Sequence, residues 1–113
     1  MKKSGIKQRR CTNDELKEEL SSCPEIIEEL TKLSVVSLGD WIDLFDSLLY
    51  KHGISFGIAP VYKGNSETIL YYGYWYSIDG EITERFDCKG IKSFAEAQLQ
   101  AVHDMMYRLR ERL

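Results

Sequence analysis

The ten residues Ile69-Leu70-Tyr71-Tyr72-Gly73-Tyr74-Trp75-Tyr76-Ser77-Ile78 contain four tyrosines and a tryptophan and run straight into Asp79-Gly80. Aromatic residues at this density fit a pleated, half-buried surface. Asp-Gly supplies the two positive-φ positions of a type I′ hairpin turn. A strand over 69–78 closed by that turn leaves few ways to arrange the rest of the chain. The strand belongs in the middle of a small sheet, with Glu81 to Cys88 as its return strand. A two-residue turn sets Ser77 opposite Ile82, Trp75 opposite Glu84, Gly73 opposite Phe86 and Tyr71 opposite Cys88.

Side chains alternate across a strand, so this register defines two faces. One carries Ile69, Tyr71, Gly73, Trp75, Ile82, Phe86 and Cys88. It is the expected core face, because the alternates of Ile82, Phe86 and Cys88 are polar. Gly73 on it leaves room for a helix. The other carries Tyr72, Tyr74 and Tyr76, with Thr83, Arg85 and Asp87 opposite. Such a surface is either covered by other elements or a partner subunit, or serves as a platform on which bases or sugars stack. Tyr72, Tyr74, Tyr76 and Arg85 are therefore the candidate ligand or partner face.

The remaining elements follow from local signals. Residues 1–11 are a basic tail with Lys2, Lys3, Lys7, Arg9 and Arg10. Thr12-Asn13-Asp14-Glu15 reads as a capping box and opens a short helix through about Ser21. Ser22-Cys23-Pro24-Glu25 opens a second, running to about Leu33, with Ile26, Ile27, Leu30 and Leu33 on one side. Residues 12–36 are thus an acidic, amphipathic helical pair, expected to act as a cap or dimerisation segment. Ser37-Leu38-Gly39-Asp40 introduces a third helix that stops at Gly53. Ile54-Ser55-Phe56-Gly57-Ile58 alternates as a first strand. Pro60, near its end, confines it to a sheet edge or a bulge. Ser55, Gly57 and Ala59 give that strand one face of small groups. Ser93-Phe94-Ala95-Glu96 caps a last helix with Ala95, Leu99, Val102, Met106 and Leu109 at 3.6-residue spacing. The fold class is α+β: N-terminal helices, then an α-β-β-β-α domain over 37–113 with a three-stranded antiparallel meander packed against helices.

The chain of 113 residues carries a net charge of −3, so it has no overall basic field to attract nucleic acid. No apolar run approaches the roughly 20 residues that span a bilayer, and the start lacks a secretory h-region. A cytoplasmic location without membrane contact is expected. Cys11, Cys23 and Cys88 are odd in number and form no CxxC, which suggests free thiols rather than disulfides or zinc. No metal or other cofactor is expected. His52 sits at a helix end. His103 and Asp104 are helix neighbours that diverge. His103 and Tyr107 are four apart on one helix face. No catalytic motif is present. Glu84, opposite Trp75, is the one carboxylate whose pKa an apolar neighbour could raise.

Two resemblances bear on the second half. The order helix–β–β–β–helix from Ser37 to Leu113 resembles the double-stranded RNA-binding domain. Of that family's basic cluster at the start of the last helix, Lys89 and Lys92 stand here before Ser93-Phe94-Ala95-Glu96, so these two are the phosphate contacts the resemblance implies. The rest of the cluster and the minor-groove loop motif are missing, and RNA binding is not carried over. Asp87-Cys88-Lys89-Gly90 leading into Ser93-Phe94-Ala95-Glu96-Ala97 is similar to the β-β-β-α domain of HicB-type antitoxins, without that family's Gly-Cys pair. More broadly, the run from Trp41 through Gly53-Ile54 to the Ser-Phe-x-Glu-Ala helix looks like small proteins of bacterial phages and mobile elements, especially from the Bacteroides group. That implies a fold and a genomic setting.

The function expected from the sequence is a non-enzymatic binding or assembly module, working as a homodimer. The alternative is a nucleic-acid-binding protein, antitoxin-like or single-strand-specific, using the basic tail and the tyrosine face. A small enzyme built on Glu84 is the third reading.

Overall fold

The caps written into the sequence set the helices. The computed structural model describes residues 10–36, 40–82, 86–88 and 90–113. Thr12 makes both bonds of its capping box with Glu15 and starts α1 (Asn13–Glu19). A 3₁₀ turn, Leu20–Ser22, leads to α2 (Pro24–Val36). Proline takes the first helical position of α2, where its missing N–H costs nothing. Helix α3 (Trp41–Lys51) is capped by Asp40, whose carboxylate accepts the Ile42 N–H at 2.9 Å. The expected cap at Ser37 lies outside the described residues. Ser93 caps α4 (Phe94–Arg110), as its spacing to Glu96 predicts.

The strands are β1 (Ile54–Tyr62), β2 (Ile69–Ile78), β3 (Glu81–Ile82) and β4 (Phe86–Cys88). Strand β2 is central. It pairs antiparallel with β1 on one side and with β3 and β4 in turn on the other. Asp79 and Gly80 both have positive φ, 52° and 87°, which is the hairpin turn the sequence requires. The meander and the α+β class are thus as expected, with the third strand split in two.

The split carries a correction. Ser77 pairs with Ile82 as the turn dictates, but Tyr74 pairs with Phe86 and Tyr72 with Cys88. Between those pairings β2 has two residues, Trp75 and Tyr76, while the return strand has three, one more than an unbroken ladder holds. One surplus residue is the mark of a β-bulge. A slip of one residue transfers every later side chain to the other face. Phe86 therefore joins the tyrosine side, and the face expected to form the core is the wrong one. Helix α4 lies over Tyr72, Tyr74 and Tyr76, which are 2%, 5% and 4% exposed. Ile82, before the shift, stays on the opposite face and is 76% exposed.

Helices α3 and α4 back the sheet, and α1 and α2 pack on α3 and α4. Leu16, Leu20, Ile26 and Leu30 belong to the same buried cluster as Phe45, Leu49, Val102 and Met105. The acidic helical pair therefore spends its apolar stripe on the helices of its own chain, and α4 covers the tyrosines.

Candidate functional site

Of the residues singled out in the sequence, Tyr72, Tyr74 and Tyr76 are buried. Tyr74 donates its phenolic hydrogen to Asp104 Oδ2 at 2.6 Å. Arg108 Nη2 donates to the Tyr76 hydroxyl at 2.7 Å, and its guanidinium carbon lies 5.1 Å from the same ring's centroid. Tyr72 meets Phe94 edge to face at 6.1 Å between centroids. Burial pushes the Tyr72 phenol above its ordinary pKa, with a smaller contribution from Tyr62. Phe86 stacks against both Tyr74 and Tyr76, at 5.3 and 5.6 Å. The three tyrosines are thus an amphipathic core layer. Their rings pack under α4, and at least two of the hydroxyls reach polar groups on it. They offer no free ring face to a base or a sugar. Arg85, Lys89 and Glu84 lie outside the described residues. Lys92 is exposed just ahead of the α4 cap.

The other side chains that could carry chemistry also have structural duties. His103 Nδ1 lies 2.8 Å from Glu19 Oε2, and its ring meets Tyr107 edge to face at 5.4 Å. His52 is the C-cap of α3. Cys11 and Cys23 are free and buried. Burial, then the charges of Glu15 and Asp40, pushes the Cys11 thiol up to about 11, which leaves it un-ionised at neutral pH. Among the described residues, no cluster of three or more His, Cys, Asp or Glu could hold a metal ion, and no helix is long and apolar enough to cross a membrane.

Among the described residues, what remains open is the side of the sheet away from the helices and the outer edge of β1. The open face carries Tyr71 and Trp75 from β2, paired across to Val61 and Gly57 of β1, with Ala59 opposite Gly73 and Ser55 opposite Ser77. The Trp75 indole lies flat across Gly57. A Cβ on that glycine would come 2.6 Å from ring carbon Cζ2. The small residues read in β1 thus make a seat for a tryptophan.

The backbone phase of the edge can be fixed. The Tyr72 N–H donates to the Ile91 carbonyl at 3.0 Å, on the side of β2 away from β1, whereas the Asp79 N–H donates to Gly53 at the start of β1. Even-numbered residues of β2 therefore turn their polar backbone groups away from β1, and odd-numbered ones turn toward it. Through the pairing of Gly57 with Trp75, Ser55, Gly57, Ala59 and Val61 bond to β2. Ile54, Phe56 and Ile58 point their N–H and C=O groups outward. Pro60, which has no N–H to lose, takes the next outward place. Among the described residues no strand pairs with β1 on that side. None of residues 54–62 is charged. Proteins blunt exposed edges with lysines, bulges or proline, and here only Pro60 and a register shift at Val61/Tyr62 do so.

A groove of about 420 Å³ runs beside this edge, lined by Asp46, Ser47 and Tyr50 of α3 and by Ser55 and Phe56. Tyr50 is 79% exposed. At the groove's rim, desolvation and the adjacent Asp43 push the Asp46 carboxyl up to about 6, against the opposing pull of Arg10. Arg10 itself bonds Asp43 at 2.8 Å. In the sequence Pro60 marks a sheet edge or a bulge, and β1 has both an edge position and a register shift at Val61/Tyr62. The signal the sequence held beyond that was the nine-residue run without a charge.

Comparison with protein families, curated proteins and solved structures gives no match for this chain.

Proposed function

We propose that this protein is a non-enzymatic assembly module that works as a homodimer and associates through the β1 side of its sheet. One observation carries the reading: a nine-residue, uncharged strand whose outward backbone groups at Ile54, Phe56 and Ile58 have no strand beside them among the described residues. An edge of this kind is a template for another strand. The helical pair, with its leucines buried inside its own chain, gives no comparable motive for association. Nucleic-acid binding through Tyr72, Tyr74 and Tyr76 loses its platform to α4, and the net charge of −3 does not favour it. A cytoplasmic setting belongs to the same proposal and suits the free thiols of Cys11 and Cys23.

Light scattering on the full chain across a hundredfold concentration range tests the reading. The expected result is a mass that doubles as concentration rises. A monomer mass throughout overturns it.

A further inference from the structure

We infer that the second copy docks strand to strand, its β1 antiparallel to the first and the twofold axis passing through Phe56. This rests on the homodimer reading above. A twofold axis between antiparallel strands pairs residues whose numbers share one sum, and the outward groups must meet outward groups. With the axis at Phe56, Phe56 exchanges both backbone bonds with the partner's Phe56, and Ile54 pairs with the partner's Ile58. All three outward N–H groups and all three outward carbonyls of Ile54, Phe56 and Ile58 are then used.

Moving the axis to Gly57 brings Pro60 opposite the partner's Ile54. A ring carbon then meets a carbonyl where an N–H should be. Moving it to Ser55 sets Ile58 opposite the partner's His52, which precedes the strand and whose carbonyl already accepts from Arg112. Only the Phe56 axis fits the segment between Gly53 and Pro60 to itself.

Side chains agree with this register. Ile54, Phe56 and Ile58 lie on the helix-facing side, so the pairing continues the apolar layer from one copy into the next. The groove between β1 and Tyr50 is the space that the partner's Phe56 and Ile58 enter. On the opposite face Ser55 meets the partner's Gly57, beside the Trp75 indole that lies across that glycine. Self-pairing usually sets like charges against each other, but this strand has none to oppose.

Two sets of variants test the arrangement. Ile58→Pro removes an outward N–H and leaves the bonds to β2 intact, while Ile58→Ala trims the same side chain and keeps the N–H. The dimer dissociation constant should rise at least about tenfold from Ile58→Ala to Ile58→Pro, since each twofold-related copy loses a bond. Under mild oxidation, Phe56→Cys should form an inter-chain disulfide. Its Cα separation across the axis is about 5.5 Å, inside the bridging range. Ser55→Cys should not, at about 8 Å from its mate. Oxidised wild-type protein gives the background.

A wild-type dimer that is equally tight in Ile58→Pro and Ile58→Ala overturns the edge pairing and leaves the homodimer reading standing. Cross-linking through Ser55→Cys in place of Phe56→Cys overturns the axis. A wild-type monomer overturns both. Should Phe56→Cys fail to fold, the proline–alanine comparison decides.

Discussion

Replacing Gly57 by alanine tests whether the open face is built around one tryptophan. In a strand with free space above it, alanine should stabilise, because glycine in a strand interior costs roughly 0.5–1 kcal/mol relative to alanine. Gly57 has no such space. The added Cβ would lie 2.6, 2.7 and 2.8 Å from Cζ2, Cε2 and Nε1 of Trp75, whereas carbon atoms in contact rest about 3.5–4.0 Å apart. The indole must lift by about 1 Å or swing off the sheet. Overpacking of this kind costs about 1–3 kcal/mol. Because Trp75 is half-buried and one side of its ring can yield, the lower part of that range applies. Set against the backbone gain, Gly57→Ala should destabilise by up to about 1.5 kcal/mol. Urea unfolding followed by circular dichroism, at one fixed protein concentration because association shifts apparent stability, measures the change. Indole emission should shift to the red as Trp75 loses its seat. In a Trp75→Leu background the same substitution should become neutral or stabilising, and the difference between backgrounds is the coupling. A Gly57→Ala protein more stable than wild type, with Trp75 present and its emission unchanged, would refute the reasoning.

Other outcomes follow from the core and from the charged groups. Leu16→Ala should cost about 2–5 kcal/mol and keep a single unfolding transition, since Leu16 is fully buried against the helices that back the sheet. Two transitions by calorimetry would mean that residues 12–36 form a separable unit. Arg112 donates two hydrogen bonds to Asp79, at 2.8 and 2.9 Å, and these hold the Asp79 carboxyl below the ordinary aspartate value. A depressed folded pKa contributes stability that is present at neutral pH and lost as pH falls below about 4. Arg112→Ala should therefore raise the Asp79 titration, read by carbon NMR, to the ordinary aspartate value. Asp46 has the opposite sign. Its folded pKa of about 6 lies above the ordinary 3.8, so the folded state holds the proton more tightly and stability falls as pH rises from about 4 to about 6. Asp46→Asn should flatten that part of the pH–stability curve and raise the melting temperature at pH 7. An unchanged slope would show that the carboxyl is freely solvated.

Where the sequence spoke through local chemistry, it was legible. Thr12 with Glu15, Ser93 with Glu96, and Asp79 with Gly80 each satisfy specific backbone groups or supply specific dihedral angles, and each sits where its residue types require. The failure was equally local. Nothing in the composition of Glu81–Cys88 marks an extra residue, because a bulge is a matter of count and depends on which face the rest of the molecule chooses to bury. With an unbroken register, Phe86 and Cys88 argued for the Trp75 side as core. With one residue more, Phe86 argues for the tyrosine side. Tyr72, Tyr74 and Tyr76 read either as a covered layer or as a platform, because the alternation that sets them on one face does not say what lies over it; α4 covers them. Trp75, taken as core, turned out to occupy the open face, and only the distance to Gly57 in three dimensions shows why a glycine stands opposite it. The free edge of β1 was half legible. Pro60 announced an edge or a bulge, while the direction in which Ile54, Phe56 and Ile58 point required the bond from Tyr72 to Ile91.

The interruption between β3 and β4 makes the return strand one residue longer than its pairing with β2 requires. Deleting any one of residues 83–85 sets two residues against Trp75 and Tyr76, so the ladder can run unbroken from Ile82 with Phe86 still opposite Tyr74. Phe86 then keeps its place in the stack with Tyr74 and Tyr76. Sequences that fold as this one does should therefore tolerate the loss of one residue between Ile82 and Phe86, because the surplus residue is not needed to bring that ring to the tyrosines.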